Sequence, residues 1–250
     1  NIEEILDHVY GIMIARGDLG IEIPAEKIPA IQKKLNHIAI ERMKPVIVAT
    51  QMLHTMISNP RPTRAEVSDV ANAIYDGADA IMLSGETASG NYPVEAVKTM
   101  TKIALEVEAI KNNISDNISL YSKSEIAKFM AKTAVHASVE LDVKAIIADT
   151  FGGNTIRKLA AYRGQKPIYA ICYNDYVVRE LALSYGVYAQ LVDIHKTADD
   201  LVQKSVQMVI DQKYLTPEDK VVLLAGSFGK GNSATILEVN SCKRLMENHF

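Results

Sequence analysis

Short apolar segments alternate with amphipathic ones along most of this 250-residue chain. Strand, helix, strand in that order is the pattern of parallel βα units, and it leaves two architectures open, a closed barrel and a doubly wound sheet. In the first half, residues 11–16, 45–50 (Pro-Val-Ile-Val-Ala-Thr) and 80–84 read as strands. Residues 25–42 form a helix that sets Ile28, Ile31, Leu35, Ile38 and Ala39 on one face. A second helix, 63–77, follows the Pro60-Arg61-Pro62 turn, with Thr63 as cap and Glu66 three residues on, the signature of a capping box. Pro93 opens a third, 93–108, at its first turn.

Composition then changes. Residues 112–124 hold three Asn and four Ser and few apolar side chains, so a linker is assigned to 111–124 between domains at 1–110 and 125–250. Beyond it the alternation resumes, with helices at 124–140, 154–162, 175–184 and 198–212 and strands at 145–150, 167–172, 189–193 and 220–225. Residues 234–239 add an edge strand. The expected class is α/β, three βα units followed by a sandwich whose five-stranded sheet is mainly parallel. Three units cannot close a barrel, which needs about eight strands to be filled by its own side chains. The first half is therefore expected to lack partners, and the missing initiator methionine points the same way.

The overall balance narrows the function classes. A formal charge of -3 and a pI near 6.1 give no basic field for nucleic acid. No apolar run reaches the roughly 20 residues of a spanning helix, so no membrane partner is expected. Cys172 and Cys242 have neither disulfide-framework nor zinc spacing and read as buried apolar residues of a cytoplasmic protein.

Chemistry-bearing residues recur where each of the first three strands ends: Ala15-Arg16-Gly17-Asp18, Thr50-Gln51 and Ser84-Gly85-Glu86. In parallel βα architectures those ends build the active site. The first is read as a glycine-flanked turn in which Gly17 and Gly20 let the backbone approach a ligand. Asp18 suits one position on Mg²⁺, which binds through one or two carboxylates and keeps waters and substrate oxygens. Backbone N–H groups around Gly17 suit a carboxylate or phosphate, Thr50 offers a hydroxyl, and Ser84 with Glu86 can pass a proton. No strong nucleophile and no histidine lies in the three ends. The set is suited to positioning an anion and a metal, as phosphoryl transfer requires.

These residues lie within four ordered motifs: Gly11-Ile-Met-Ile-Ala-Arg-Gly-Asp-Leu-Gly-Ile-Glu-Ile-Pro24, Lys44-Pro-Val-Ile-Val-Ala-Thr-Gln-Met-Leu53, Asn59-Pro-Arg-Pro-Thr-Arg-Ala-Glu-Val-Ser-Asp-Val-Ala-Asn72 and Asp76-Gly-Ala-Asp-Ala-Ile-Met-Leu-Ser-Gly-Glu-Thr-Ala88. Together they resemble pyruvate kinase, and residues 122–250 resemble that family's C-terminal regulatory domain in layout. The resemblance implies the last three units of a (β/α)8 TIM-type barrel followed by an allosteric α/β domain. It implies transfer of a phosphoryl group from phosphoenolpyruvate to ADP, giving pyruvate and ATP, with Mg²⁺ or Mn²⁺ and K⁺, in a cytoplasmic homotetramer. By the same resemblance Asp18 is a metal ligand, Ala15, Arg16, Gly17, Asp18 and Thr50 bind substrate, and Thr50, Ser84 and Glu86 serve protonation of the enolate. The family's catalytic lysine, second metal carboxylate, K⁺ ligands and most ADP contacts match nothing here. Lys27, Lys33 and Lys34 fall on the helix after the first strand and read as solvated, so these 250 residues alone are expected to be inactive. Two alternatives stand beside this reading: a metal-dependent aldolase acting on pyruvate enolate, and a non-catalytic effector-binding or oligomerisation piece.

In the second half, Asp149-Thr150-Phe151-Gly152-Gly153-Asn154-Thr155 joins a strand end to a helix start, where free N–H groups and the helix dipole favour phosphate. In many members of the resembled family the matching loop binds phosphorylated sugar effectors. Thr150, Gly153, Asn154 and Thr155 are its candidate ligands, with Gly229 and Gly231 of a later glycine-rich loop closing over them; the competing reading has Asn154 or Thr155 capping the helix. His37 reads as a packed or hydrogen-bonded residue of the first helix, and His54 has no assigned role. Tyr162, Tyr169, Tyr173 and Tyr176 read as core or subunit contact.

Overall fold

The computed structural model describes residues 1–110, 118–193, 197–226 and 234–247. It divides into two compact units, Asn1–Asn112 and Asn113–Phe250.

Unit 1 opens with a helix absent from the sequence expectation, α1 (Ile2–His8), whose Leu6 is fully buried. Then come β1 (Ile12–Ala15), α2 (Arg16–Glu22), a 3₁₀ turn (Ala25–Lys27), α3 (Ile28–Glu41), β2 (Val46–Ala49), a second 3₁₀ turn (His54–Ile57), α4 (Arg64–Tyr75), β3 (Ala80–Met82), α5 (Gly85–Ala88) and α6 (Pro93–Ile110). The strands make an open parallel sheet ordered β1-β2-β3, with Ile12 opposite Val46 and Ile47 opposite Ala80. Gly11 sits where β1 meets β2, and a Cβ there would fall 2.4 Å from the Pro45 carbonyl oxygen, so only glycine permits the approach. Ile14, Val46, Val48, Met52, Leu53, Met56, Val70 and Ala73 form the centre of the core.

On α3 the most deeply buried stripe is rotated from the expected one and overlaps it at Ala39. Gln32, Asn36, Ala39 and Ile40 are buried, while Leu35 and Ile38 pack at the edge. The rotation has a polar cause, because Gln32 donates to Asp76 Oδ2 at 3.1 Å. Asn36 is fully buried, and neither of its amide atoms has a partner among the described residues. His37 is not packed: its side chain is 59% exposed, and Nε2 lies 3.5 Å from Glu41. The capping box on α4 forms as expected, with Thr63 Oγ1 accepting from Glu66 N and the Glu66 carboxylate accepting from Thr63 N.

Unit 2 contains α7 (Glu125–Glu140), β4 (Ala145–Thr150), α8 (Asn154–Ala161), β5 (Ile168–Cys172), α9 (Asp175–Leu181), β6 (Val187–Leu191), α10 (Ala198–Asp211), β7 (Lys220–Gly226), β8 (Ala234–Ser241) and α11 (Cys242–Glu247). Its sheet runs β6-β5-β4-β7-β8, parallel except for β8, which pairs antiparallel with β7 at the edge. The central strands β4 and β5 are apolar and buried almost throughout, as strands covered on both faces must be. Strand β6 begins two residues before the expected start, and α11 was not expected at all. Both cysteines are buried and free, and burial pushes the thiols of Cys172 and Cys242 up to about 11. Tyr169, Tyr188 and Tyr214 form an aromatic cluster with centroids 5.4–6.2 Å apart. Tyr162 is buried, but Tyr176 is 67% exposed and belongs to no core. No described helix is long and apolar enough to cross a membrane.

Candidate active site

The Arg16-Gly17-Asp18 segment is not the turn its glycines suggest. Helix α2 begins at Arg16 directly after β1, and Gly17 and Gly20 lie inside it without positive φ. Gly17 matters for proximity rather than for backbone freedom. Its N–H donates to Thr50 Oγ1 at 2.8 Å, and a Cβ on it would sit 3.5 Å from that same oxygen. Asp18, in the first turn of α2, is exposed, and its carboxylate has no partner among the described residues.

At the end of β2 the chain does something costly. Thr50 and Gln51 are both left-handed, at φ 66° and 54°, a conformation uncommon for any residue with a Cβ and rarer still for a β-branched one. The surroundings hold them there. Arg16, expected among the substrate-binding residues, points its guanidinium into the protein: Nη2 donates to the Thr50 carbonyl at 2.7 Å and Nη1 to the Asp69 carboxylate at 2.6 Å. Arg16 is only 9% exposed.

Further along the segment, Glu86 is almost fully buried and accepts from Leu53 N at 3.1 Å and Ser84 N at 2.9 Å. It thereby joins the ends of β2 and β3. Ser84 Oγ has no hydrogen bond among the described residues, so its hydroxyl is available to a ligand. From α4, Glu66 accepts from Thr55 N at 2.7 Å as well as from Thr63. Burial raises the Glu66 pKa, but the hydrogen bonds from Thr55 and Thr63 outweigh it and hold the carboxyl below its ordinary value.

Sequence reasoning singled out Asp18, Thr50, Ser84 and Glu86 and passed over Asp69 and the bond from Thr55 N to Glu66. Asp69 lies in one of the quoted motifs three residues beyond Glu66, on the same side of a helix, yet nothing in its spacing names Arg16 as partner. For a metal, Asp18 fits one coordination position only. No group of three or more His, Cys, Asp or Glu side chains converges among the described residues.

The comparisons with known proteins fall on both units. The family described as pyruvate kinase, barrel domain, matches residues 1–97, and that described as pyruvate kinase, alpha/beta domain, matches residues 128–239. The chain belongs to the pyruvate kinase family. It is 48% identical over 245 residues to a pyruvate kinase of Borreliella burgdorferi, covering 96% of this chain and 51% of that protein. To a pyruvate kinase of Bacillus licheniformis it is 47% identical over 242 residues, covering 96% and 41%. A solved pyruvate kinase from Cryptosporidium parvum superposes with a TM-score of 0.87 at 33% identity, covering 97% of this chain and 49% of that one. The chain thus spans about half the length of the pyruvate kinases it matches.

In the pyruvate kinase alpha/beta unit, the loop after β4 was singled out for anions. Thr150 Oγ1, buried, accepts from Gly153 N at 2.9 Å, and Gly153 is left-handed at φ 79°. Gly153 is itself the N-cap of α8, with no side-chain cap bond, so neither Asn154 nor Thr155 caps the helix. Arg157 folds back over this start, Nη2 donating to Gly152 O at 2.6 Å and to Asn154 Oδ1 at 3.2 Å, with Nη1 3.5 Å from Glu180. Phe151 packs on Tyr173 at 4.4 Å between centroids. Burial, then the neighbouring Asp149, raises the Tyr173 pKa. Gly229 and Gly231 lie outside the described residues.

Proposed function

We propose that unit 1 supplies one wall of a pyruvate kinase active site, and that the protein to which it belongs transfers the phosphoryl group of phosphoenolpyruvate to ADP, giving pyruvate and ATP. The observation that carries this reading is the convergence at two neighbouring strand ends of the Thr50 hydroxyl with the start of α2, beside the unpartnered Asp18 carboxylate.

In this reading Asp18 is one carboxylate ligand of Mg²⁺ or Mn²⁺. When bound, the metal neutralises charge on the phosphoryl and enolate oxygens. Backbone groups around Ala15, Gly17 and Asp18 hold the substrate carboxylate, the Gly17 N–H being shared between it and Thr50 Oγ1, and Gly17 leaves room for it beside the hydroxyl. Thr50 Oγ1 already accepts from Gly17 N, so its own O–H is free to donate to the substrate. Ser84, with its unengaged hydroxyl, completes the path by which the enolate is protonated.

The reading extends to K⁺ as a second cation, to a cytoplasmic homotetramer, and to residues 125–250 as the allosteric domain, with a phosphorylated sugar held by Thr150, Gly153, Asn154 and Thr155. The family match favours phosphoryl transfer over the aldolase alternative. The 250 residues alone carry no turnover in this proposal, because no lysine among their strand ends replaces the catalytic one.

Binding tests the wall itself. Mg²⁺-dependent binding of oxalate, a planar dicarboxylate shaped like the enolate, is expected in calorimetry and is expected to fall at least tenfold in Asp18→Asn and Thr50→Val. Unchanged affinity in both variants refutes the assignment. In a coupled assay the chain by itself is expected to give no pyruvate; turnover free of contaminating enzyme overturns that part.

A further inference from the structure

Resting on that reading of Thr50, we propose that Arg16 and Glu86 are positioning residues: together with Asp69 they hold the Thr50 segment in its left-handed form, and neither binds substrate nor carries the proton. Two of the residues that the resemblance assigns to substrate and proton are thereby moved out of contact chemistry.

The case rests on the two terminal nitrogens of Arg16, both of which are committed within the protein. A guanidinium has five N–H donors and no acceptor. In Arg16, Nη1 meets both oxygens of Asp69 at 2.6 Å, and Nη2 meets the Thr50 carbonyl at 2.7 Å and the Met52 sulfur at 2.8 Å. Nε is buried with no partner among the described residues, so it does not open to a ligand. What the fork grips is the carbonyl of the residue that must stay left-handed. Turning Thr50 back to an extended conformation would swing that carbonyl off Nη2 and withdraw the hydroxyl from Gly17 N.

Glu86 works three residues further along. With Oε1 on Leu53 N and Oε2 on Ser84 N, each carboxylate oxygen is an acceptor for a backbone amide. A carboxyl group that took a proton for relay would lose one of those acceptors and leave a buried N–H unpaired. At 2% exposure, water has little access to it. Thr50 and Leu53 are therefore pinned from α2 and α5, while Glu66 pins Thr55 from α4. The left-handed pair is held on both sides, and the hydroxyl is fixed before substrate arrives, where orientation rather than nucleophilicity is needed.

Amide hydrogen exchange and oxalate binding, both on the full chain, test this together. Arg16→Lys and Asp69→Asn are expected to lower protection at Gly17 at least tenfold, and Glu86→Gln at Leu53 and Ser84, with Val48 in β2 and Ile147 in β4 unchanged. Because glutamine offers one acceptor where two amides need one each, it does not rescue. Retained protection at Gly17 in the first two variants, or at Leu53 and Ser84 in the third, overturns the proposal. In oxalate binding, Arg16→Lys and Thr50→Val are expected to be non-additive, the double variant within twofold of Thr50→Val. Losses that multiply would mean that Arg16 meets the anion itself. If oxalate ignores Thr50→Val altogether, the substrate reading of Thr50 fails, while the exchange data still decide whether Arg16 and Glu86 hold the segment.

Discussion

The two strand-end loops singled out in the sequence use the same small device in opposite ways. After β2, Thr50 Oγ1 accepts from Gly17 N at 2.8 Å; after β4, Thr150 Oγ1 accepts from Gly153 N at 2.9 Å. In the first case donor and acceptor come from different βα units, a buried charge from α2 holds the carbonyl of the acceptor residue, and one from α5 holds Leu53 three residues on. In the second they lie three residues apart in one loop, and the charge nearby, Arg157, is contributed by the helix that the loop opens. A long-range bond with charged braces fixes geometry before a ligand comes. The local bond fixes only its own turn, and the rest of the loop takes its shape from Arg157 and from the packing of Phe151 on Tyr173.

Breaking the braces should separate the units most strongly. Arg16→Met leaves the Asp69 carboxylate and the Thr50 carbonyl without their donor. A broken buried pair costs about 3–5 kcal/mol, but Asp69 is 38% exposed, so about 2–3 kcal/mol is expected. Urea unfolding followed by probes in each unit checks it: the midpoint of unit 1 falls, and that of unit 2 stays. In the local loop, Arg157→Met removes a longer pair with Glu180 at 3.5 Å and an exposed bond to the Gly152 carbonyl, and a loss of about 1 kcal/mol in unit 2 is expected from the same measurement.

The glycines sharpen the contrast next. Gly153→Ala asks a residue with a Cβ to hold φ 79° and sets that Cβ 2.7 Å from Arg157 Nη1, so a cost of about 1–2 kcal/mol is expected in unit 2. Gly17→Ala asks for nothing strained. Inside α2 it gains up to about 1 kcal/mol of helix propensity, seen as a raised melting temperature of unit 1. Its Cβ nevertheless fills the space beside Thr50 Oγ1, and oxalate affinity should fall while stability rises. A destabilised Gly17→Ala would mean that the glycine serves the fold and not the approach of a ligand.

Fold and site were legible to different depths. The alternation of apolar and amphipathic segments carried the mainly parallel sheet and an edge strand at β8, because burial on both faces writes itself as continuous Val, Ile and Ala in the central strands; it carried neither the strand order nor the antiparallel sense of β8. It did not carry α2, since Arg-Gly-Asp-Leu-Gly has turn composition and the helix owes its start to the strand before it and the Thr50 contact. The centre of the buried side of α3 is displaced from the expected one for a related reason. Counting apolar residues cannot foresee that Asp76, forty-four positions away, will draw Gln32 inward. At the site, residue types pointed to Asp18, Thr50 and Ser84. They were silent on which charges face inward, because Arg16 and Glu86 have the same composition whether they meet a ligand or a backbone amide. Left-handed φ at Thr50 and Gln51 was invisible, neither being glycine or asparagine.

The smallest expected effect sets the two units apart by pH. Glu66 has its folded pKa held below the ordinary 4.5 by Thr55 and Thr63. Its contribution to unit 1 is complete above that value and is lost as pH falls through the folded one. In unit 2, burial and then the neighbouring Tyr188 and Tyr214 raise Tyr169 from 10.0 to about 12. That contribution is complete below pH 10 and disappears as pH rises through about 12. Far-ultraviolet melts against pH should therefore show unit 1 losing stability on the acid side and unit 2 on the alkaline side. Glu66→Gln should flatten the first slope and Tyr169→Phe the second. A slope that survives its substitution assigns the titration to another group, and for Glu66 it would remove α4 from the braces that hold the Thr50 segment.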